Sequence, residues 1–139
     1  MRKMGEKRRG QAMVEAALIM LVFLATLIGI MDLGQLLFIH QSLLERVRWA
    51  SRWGVVQQPF DADKVKNMVL YAQPTAPSGA TSGFLGLTSD KVEVIVTDPG
   101  TERGRINVSI LNYNYYFFNP LIQRSFQNSR AVSESLPLE

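Results

Sequence analysis

The stretch GQAMVEAALIMLVFLATLIGIMDLG, residues 10–34, decides the fold. Its interior, residues 16–31, holds sixteen side chains without a formal charge and closes at Asp32. Counted from Gln11, the apolar run is twenty-one residues long with Glu15 as its one charge. A hydrocarbon core of ~30 Å takes about 20 helical residues, so this run is long enough to cross a bilayer. The helical pattern continues past Asp32. Leu33, Leu36, Leu37, Ile39, Leu43, Leu44 and Val47 follow at mixed spacings of three and four, an amphipathic stripe. The first proline is Pro59, and Gly54 stands where a C-cap is expected. The spacing therefore predicts one helix over residues 11–53, roughly 65 Å long at ~1.5 Å per residue.

Charge placement orients that helix. The chain has 139 residues with 15 basic and 12 acidic side chains, a net +3. Residues 1–10 hold Arg2, Lys3, Lys7, Arg8 and Arg9 against Glu6, so the excess of cations sits in the N-terminal tail. The remainder is close to neutral, which argues against a nucleic-acid-binding face on the body. Cations flanking the N-terminal side of an apolar span put residues 1–10 in the cytoplasm and the rest across the membrane. A cleaved secretory signal also starts basic and apolar, but its apolar core is usually ~7–15 residues before a small-x-small site. GIMDLGQLLF offers no such site. A plain single-pass anchor remains open, and it leaves Glu15 unexplained, since a carboxylate in hydrocarbon costs at least a few kcal/mol unless paired.

Gly10, then four residues, then Glu15, then an apolar helix, is the layout of a class III, type IV pilin-like signal. The block RRGQAMVEAALIMLVFLATLIGIMDLGQLLFIHQSLLERVRWASRWG, residues 8–54, resembles the TadE-like family of minor pilins or pseudopilins that accompany Flp (tight-adherence, type IVc) pili. Glycine, glutamate, apolar run, aspartate-apolar-glycine and a trailing amphipathic helix occur there in the family's order. The end of the chain, from NYNYYFF onward, is only loosely similar to the family's closing strands. Two departures stand out. Ala16 follows the glutamate where the family often has an aromatic, and Gln11 replaces the phenylalanine of the better-known type IV pilins.

The resemblance implies a prepilin peptidase cutting after Gly10, so that Gln11 becomes the first mature residue and Glu15 the fifth. It implies a basic leader over 1–10, a long helix over 11–54 that spans the bacterial inner membrane in its first half, and a periplasmic or extracellular head over 55–139. Assembly contacts then fall on Glu15, Asp32 and Gly34. Partners are other pilins or pseudopilins through helix–helix packing, an inner-membrane assembly platform, and the lipid bilayer before assembly. No cofactor and no nucleic acid belong to this picture. The implied role is structural, a minor subunit that primes or caps a filament, because a major Tad pilin is very short and this head is sizeable.

Other positions in the helix have plainer readings. Gly29 and Gly34 weaken a helix in water by about 1 kcal/mol relative to alanine, yet permit close helix approach in lipid. Asp32 marks the lipid exit. His40 stands without a second ligand at metal spacing and reads as an ordinary surface histidine. ERVRWASRW, residues 45–53, reads as a solvated face with Trp49 and Trp53, four apart, packed on the C-terminal domain.

In the second half, DADKVKNMVLYAQ offers Asp61 or Asp63 as an N-cap and Val65, Met68, Val69 and Ala72 as one apolar face, a short helix. Residues 73–90, rich in Pro, Gly, Ser and Thr, read as a loop without a phosphate-binding glycine pattern. KVEVIVT and RINVSILNYNYYFF alternate as an antiparallel hairpin, the second strand bending near Asn112. NPLIQRSF reads as a turn with a short helical stretch and SRAVSES as a final edge strand. The aromatics of NYNYYFF lack the interleaved cations of a base-stacking surface and read as packing residues. The expected fold class is α+β: a pilin-like lollipop, with a small head of one short helix on a three- or four-stranded antiparallel sheet. The chain has no cysteine, excluding disulfides, thiol catalysis and cysteine-ligated zinc. No nucleophile–base pair, convergent carboxylate dyad or metal-ligand cluster is legible, so an enzyme is not expected.

Overall fold

One α-helix, α1, runs Lys3–Val56. At ~1.5 Å per residue its length is roughly 80 Å. The computed structural model describes residues 3–57, 59–98, 104–115, 117 and 132–137, with side chains from residue 10 onward. The expected turn-plus-helix in NPLIQRSF lies outside the described residues.

The helix ends three residues later than the glycine suggested. Gly54 is helical and buried, and a Cβ there would stand 2.7 Å from Val65 Cγ2 and 3.1 Å from Ile106 Cδ1. This glycine is therefore a point of close approach between elements rather than a cap. What stops the helix is Pro59, whose ring would clash with the carbonyl of Val55 four residues back.

The second helix, α2, spans Ala62–Tyr71. Asp61 caps it, its Oδ1 accepting from the backbone N–H of Asp63 at 3.0 Å and of Lys64 at 3.3 Å. These bonds satisfy donors that have no partner inside the first turn. Val65, Met68, Val69 and Leu70 are its buried residues. Ala72, expected on that face, is instead the exposed C-cap in the left-handed region (φ 58°), donating its N–H to the Met68 carbonyl at 3.1 Å.

Three strands, β1 (Val92–Thr97), β2 (Arg105–Ile110) and β3 (Val132–Pro137), form an antiparallel sheet in the order β1-β2-β3. Register puts three rows on the face that meets the helices: Val92–Ile110–Val132, Val94–Val108–Glu134 and Val96–Ile106–Leu136. Ile106, Val108 and Ile110 of the central strand are fully buried. The opposite rows, Glu93–Ser109–Ser133 and Ile95–Asn107–Ser135, are mostly polar. β2 ends before the expected bend. Asn112, at φ 51°, takes the left-handed conformation that asparagine tolerates, and the chain leaves the ladder there.

The core is one cluster. Leu43, Val47 and Ala50 of α1 meet Val65 and Val69 of α2 and the inward side chains of the sheet. The 73–90 connection is tied down rather than loose. Leu87 is fully buried, Gly83 N–H bonds the Leu87 carbonyl at 2.7 Å, and a Cβ on Gly83 would stand 2.5 Å from the Leu70 carbonyl oxygen. Tyr113 donates its hydroxyl to the Leu85 carbonyl at 2.8 Å, pinning the same loop from the sheet side. The α+β lollipop anticipated from sequence is the observed arrangement.

Candidate membrane and assembly surface

From Met13 to Ile30 the large apolar side chains of α1 are exposed, Met13 by 75% and Phe23 by 59%. In water such a surface would be strongly unfavourable, at ~25 cal/mol per Å² of apolar area. It is the one helix among the described residues long and apolar enough to cross a membrane. Two polar side chains interrupt it and they differ. Thr26 donates its hydroxyl to the Val22 carbonyl at 2.9 Å, so it satisfies itself inside the helix. Glu15 is exposed, and among the described residues no ion pair reaches it.

The other positions anticipated from sequence fall in three environments. Gly10 and Gln11 are exposed on continuous helix, and a Cβ on Gly10 would meet nothing within 4 Å. Gly34 is likewise exposed with open space around it, so nothing in this chain requires a glycine there. Asp32, which ends the apolar run, is a buried side chain. It is 1% exposed and not without a partner. It stands one turn before Leu36, which packs against the core. Helical periodicity carries the signal for this, since Asp32 heads the line continued by Leu36, Ile39 and Leu43.

Ala16, Ala17 and Ala25, with Met20, Leu21 and Leu24, outline a shallow apolar hollow on the bare half of α1. Small residues framed by larger ones let another helix backbone approach closely in lipid. Nearer the head, Phe38, Trp49 and Phe84 line a second open groove of about 740 Å³, with Arg46 laid over the Phe84 ring at 4.3 Å. The two tryptophans therefore part company. Trp53 packs on the core, whereas Trp49 is 46% exposed. The arginines divide as well. Arg48 Nε stands 3.7 Å from Glu134 Oε2, joining α1 to the middle row of the sheet, and Arg52 is exposed.

Tyr113, Tyr115 and Phe117 of NYNYYFF pack inward. Tyr113 and Tyr115 are buried edge to face with centroids 5.1 Å apart, and burial pushes the Tyr115 phenol above its ordinary pKa. His40 is exposed, and no group of three or more His, Asp or Glu converges among the described residues.

A rod with one membrane-crossing half and a small α+β head on the other is the shape of a single-pass, helix-anchored protein. The family model described as TadE-like protein matches residues 10–52, the part of α1 that begins at Gly10 and runs through the amphipathic half. That match is the family resemblance carried by the sequence, and it points to a protein associated with the Tad pilus. No curated protein and no solved structure matches the chain.

Proposed function

We propose that the chain is a minor pilin or pseudopilin of a Tad (Flp, type IVc) pilus. It enters the membrane with residues 1–10 on the cytoplasmic side and the head outside, and it joins the filament or its assembly complex through α1. A prepilin peptidase cuts after Gly10 and frees the α-amino group of Gln11, which is largely charged near neutral pH. That ammonium meets a Glu15 carboxylate, on a neighbouring subunit or its own, and neutralises it as the helices pack. Pairing makes the buried charge tolerable, and removing one partner leaves an uncompensated charge costing about 3–5 kcal/mol.

One observation carries this reading. Glu15 is the polar side chain of the apolar half left without a partner among the described residues, whereas Thr26 is satisfied, and it stands five residues after Gly10. The family match opens at residue 10, which agrees with that register. In this role the head sets which end of a filament the subunit occupies, priming or capping it. Asp32 then acts on assembly by fixing how the head sits on α1, and Gly34 by leaving room for a neighbour.

A second reading, an uncleaved single-pass accessory domain, draws on the unbroken helix from Lys3 through Gly10. Co-expression with and without a prepilin peptidase, followed by mass analysis of the N-terminus, separates the two. A chain beginning at Gln11 only when the peptidase is present supports the pilin reading; retention of Met1 in both supports the anchor. Glu15→Ala should be cleaved and reach the membrane but fail to co-purify with partner pilins, and normal incorporation of that variant sinks the pairing.

A further inference from the structure

The segment QPTAPSGATS, residues 73–82, belongs to none of the surfaces described so far. With Ala72 it makes eleven exposed residues in a row, without a charge and without an aromatic or branched aliphatic side chain. Thr75, Ser78 and Thr81 recur at every third position, and Ser82 adds a fourth hydroxyl. A run rich in Ser and Thr with Pro builds no core of its own and has the composition of O-glycosylated stalks.

Here that composition is folded into a fixed loop. Ala72 caps α2 through its N–H, and Asn67 Nδ2 donates to the Pro74 carbonyl at 3.2 Å. On the return, Gly83 is pressed against Leu70, where a Cβ has no room. Between these clamps the Ala80 N–H bonds the Pro77 carbonyl at 3.1 Å and Gly79 takes φ 77°, so Ser78 stands at the tip of a tight turn. Pro74 and Pro77 disfavour helical backbone at Gln73 and Ala76 before them. Among the described residues none of the four hydroxyls is engaged in a side-chain hydrogen bond. Hydroxyls elsewhere in the head are committed: Thr88 bonds the Asp90 carboxylate, and Ser133 donates to Asn107 Oδ1 at 3.4 Å.

We infer that residues 75–82 are a site of O-linked glycosylation, with Thr75, Ser78, Thr81 and Ser82 as acceptors of a neutral sugar. The donor is a sugar activated at C1 as a phosphate ester. The Ser or Thr oxygen bonds C1 as the bond from C1 to the phosphate oxygen breaks. The hydroxyl proton passes to a base of the transferase, and the phosphate leaves with the bonding pair. A transferase has to surround its acceptor, which a projecting loop allows and a strand held in its ladder does not. Thr97 and Ser135 are exposed too, but they lie in β1 and β3. Ala76, Gly79 and Ala80 leave space beside each acceptor for a sugar ring. The run has no Lys or Arg to pair with an added phosphate, which counts against phosphorylation. Ala72 and Phe84, where the loop leaves and returns, both line the aromatic groove, so sugars carried between them hydrate its rim. This goes beyond the proposed pilus role and depends neither on cleavage after Gly10 nor on the pairing of Glu15.

Full-length protein is purified in detergent from the cells that naturally produce it, and its intact mass is measured. A ladder of species spaced by one sugar residue is expected, and electron-transfer fragmentation should place every sugar between residues 75 and 82. A variant carrying Thr75→Ala, Ser78→Ala, Thr81→Ala and Ser82→Ala together should collapse to one unmodified mass, whereas Thr97→Ala should keep the whole ladder. Fragmentation reads the native chain, so its answer stands even where the fourfold variant folds poorly. Bare protein from a heterologous host, incubated with native membranes or with native soluble extract and nucleotide sugars, separates a lipid-linked from a nucleotide-linked donor. A single unmodified mass for the native protein overturns the proposal. So does a phosphate-sized increment, or sugar mapped outside the loop.

Discussion

The two halves of α1 are one helix under two sets of rules. Below Asp32, Leu21, Phe23 and Leu24 point outward and are exposed. Above it, Leu43, Val47 and Ala50 are fully buried by α2 and the sheet. The side chains are similar, and what differs is the surface set against them. In the lower half, hydrophobicity specifies a solvent; in the upper half, it specifies a particular packed arrangement, where volume and register count. The lower half should therefore tolerate apolar exchange while the upper half should not.

The largest expected contrast is Leu43→Ala against Leu21→Ala. Leu43 is fully buried, and its truncation should cost the head about 2–5 kcal/mol through lost burial and a residual cavity. Leu21→Ala should leave urea unfolding of the head, followed by tryptophan fluorescence in detergent, within about 0.5 kcal/mol of wild type. Equal losses would erase the distinction between the halves. Next is a glycine pair. Gly54→Ala forces a methyl against Val65 and Ile106 and should destabilise the head by about 1–3 kcal/mol, despite alanine's better helix propensity. Gly34→Ala meets open space and should leave head unfolding unchanged. Asp61→Ala removes the α2 cap and should cost about 1 kcal/mol. The smallest effect belongs to Arg48→Ala. Its contact with Glu134 is long and part-exposed, so chemical denaturation should register no more than about 1 kcal/mol, fading in high salt.

Much of this was legible in the sequence because period and punctuation coincide. The apolar run, the 3.6-residue stripe after it and Asp61 before Val65 each name an element and a face. Alternation in VEVIVT and RINVSI likewise told inward from outward residues, down to the exposed Ile95. What was not legible depended on contacts distant in sequence. Gly54 looked like a cap because glycines so often are, and only the crossing of α1 with Val65 and Ile106 shows why no larger residue fits. Asp32 marked the end of the apolar run because charge ends such runs, but its burial could not be read from that position. Trp49 and Trp53 share spacing but not neighbours, and spacing alone does not say where one wall of the head stops. For the candidate site, Gly10 and Glu15 were legible as a register; the surroundings of Asp32 were not.

The continuity of α1 across the junction has a geometric consequence. With no proline or break between the bare half and the head, the head's azimuth is locked to the face the rod turns towards lipid or a neighbour. Each residue added or removed near Met31 would swing the head by about 100° and raise or lower it by ~1.5 Å. A single-residue indel there is therefore a rotation, whereas seven residues nearly restore the phase while moving the head ~10 Å along the rod. The number of residues between Glu15 and Asp32 is in this sense a dial setting: it decides which side of the head stands above a given face of the rod.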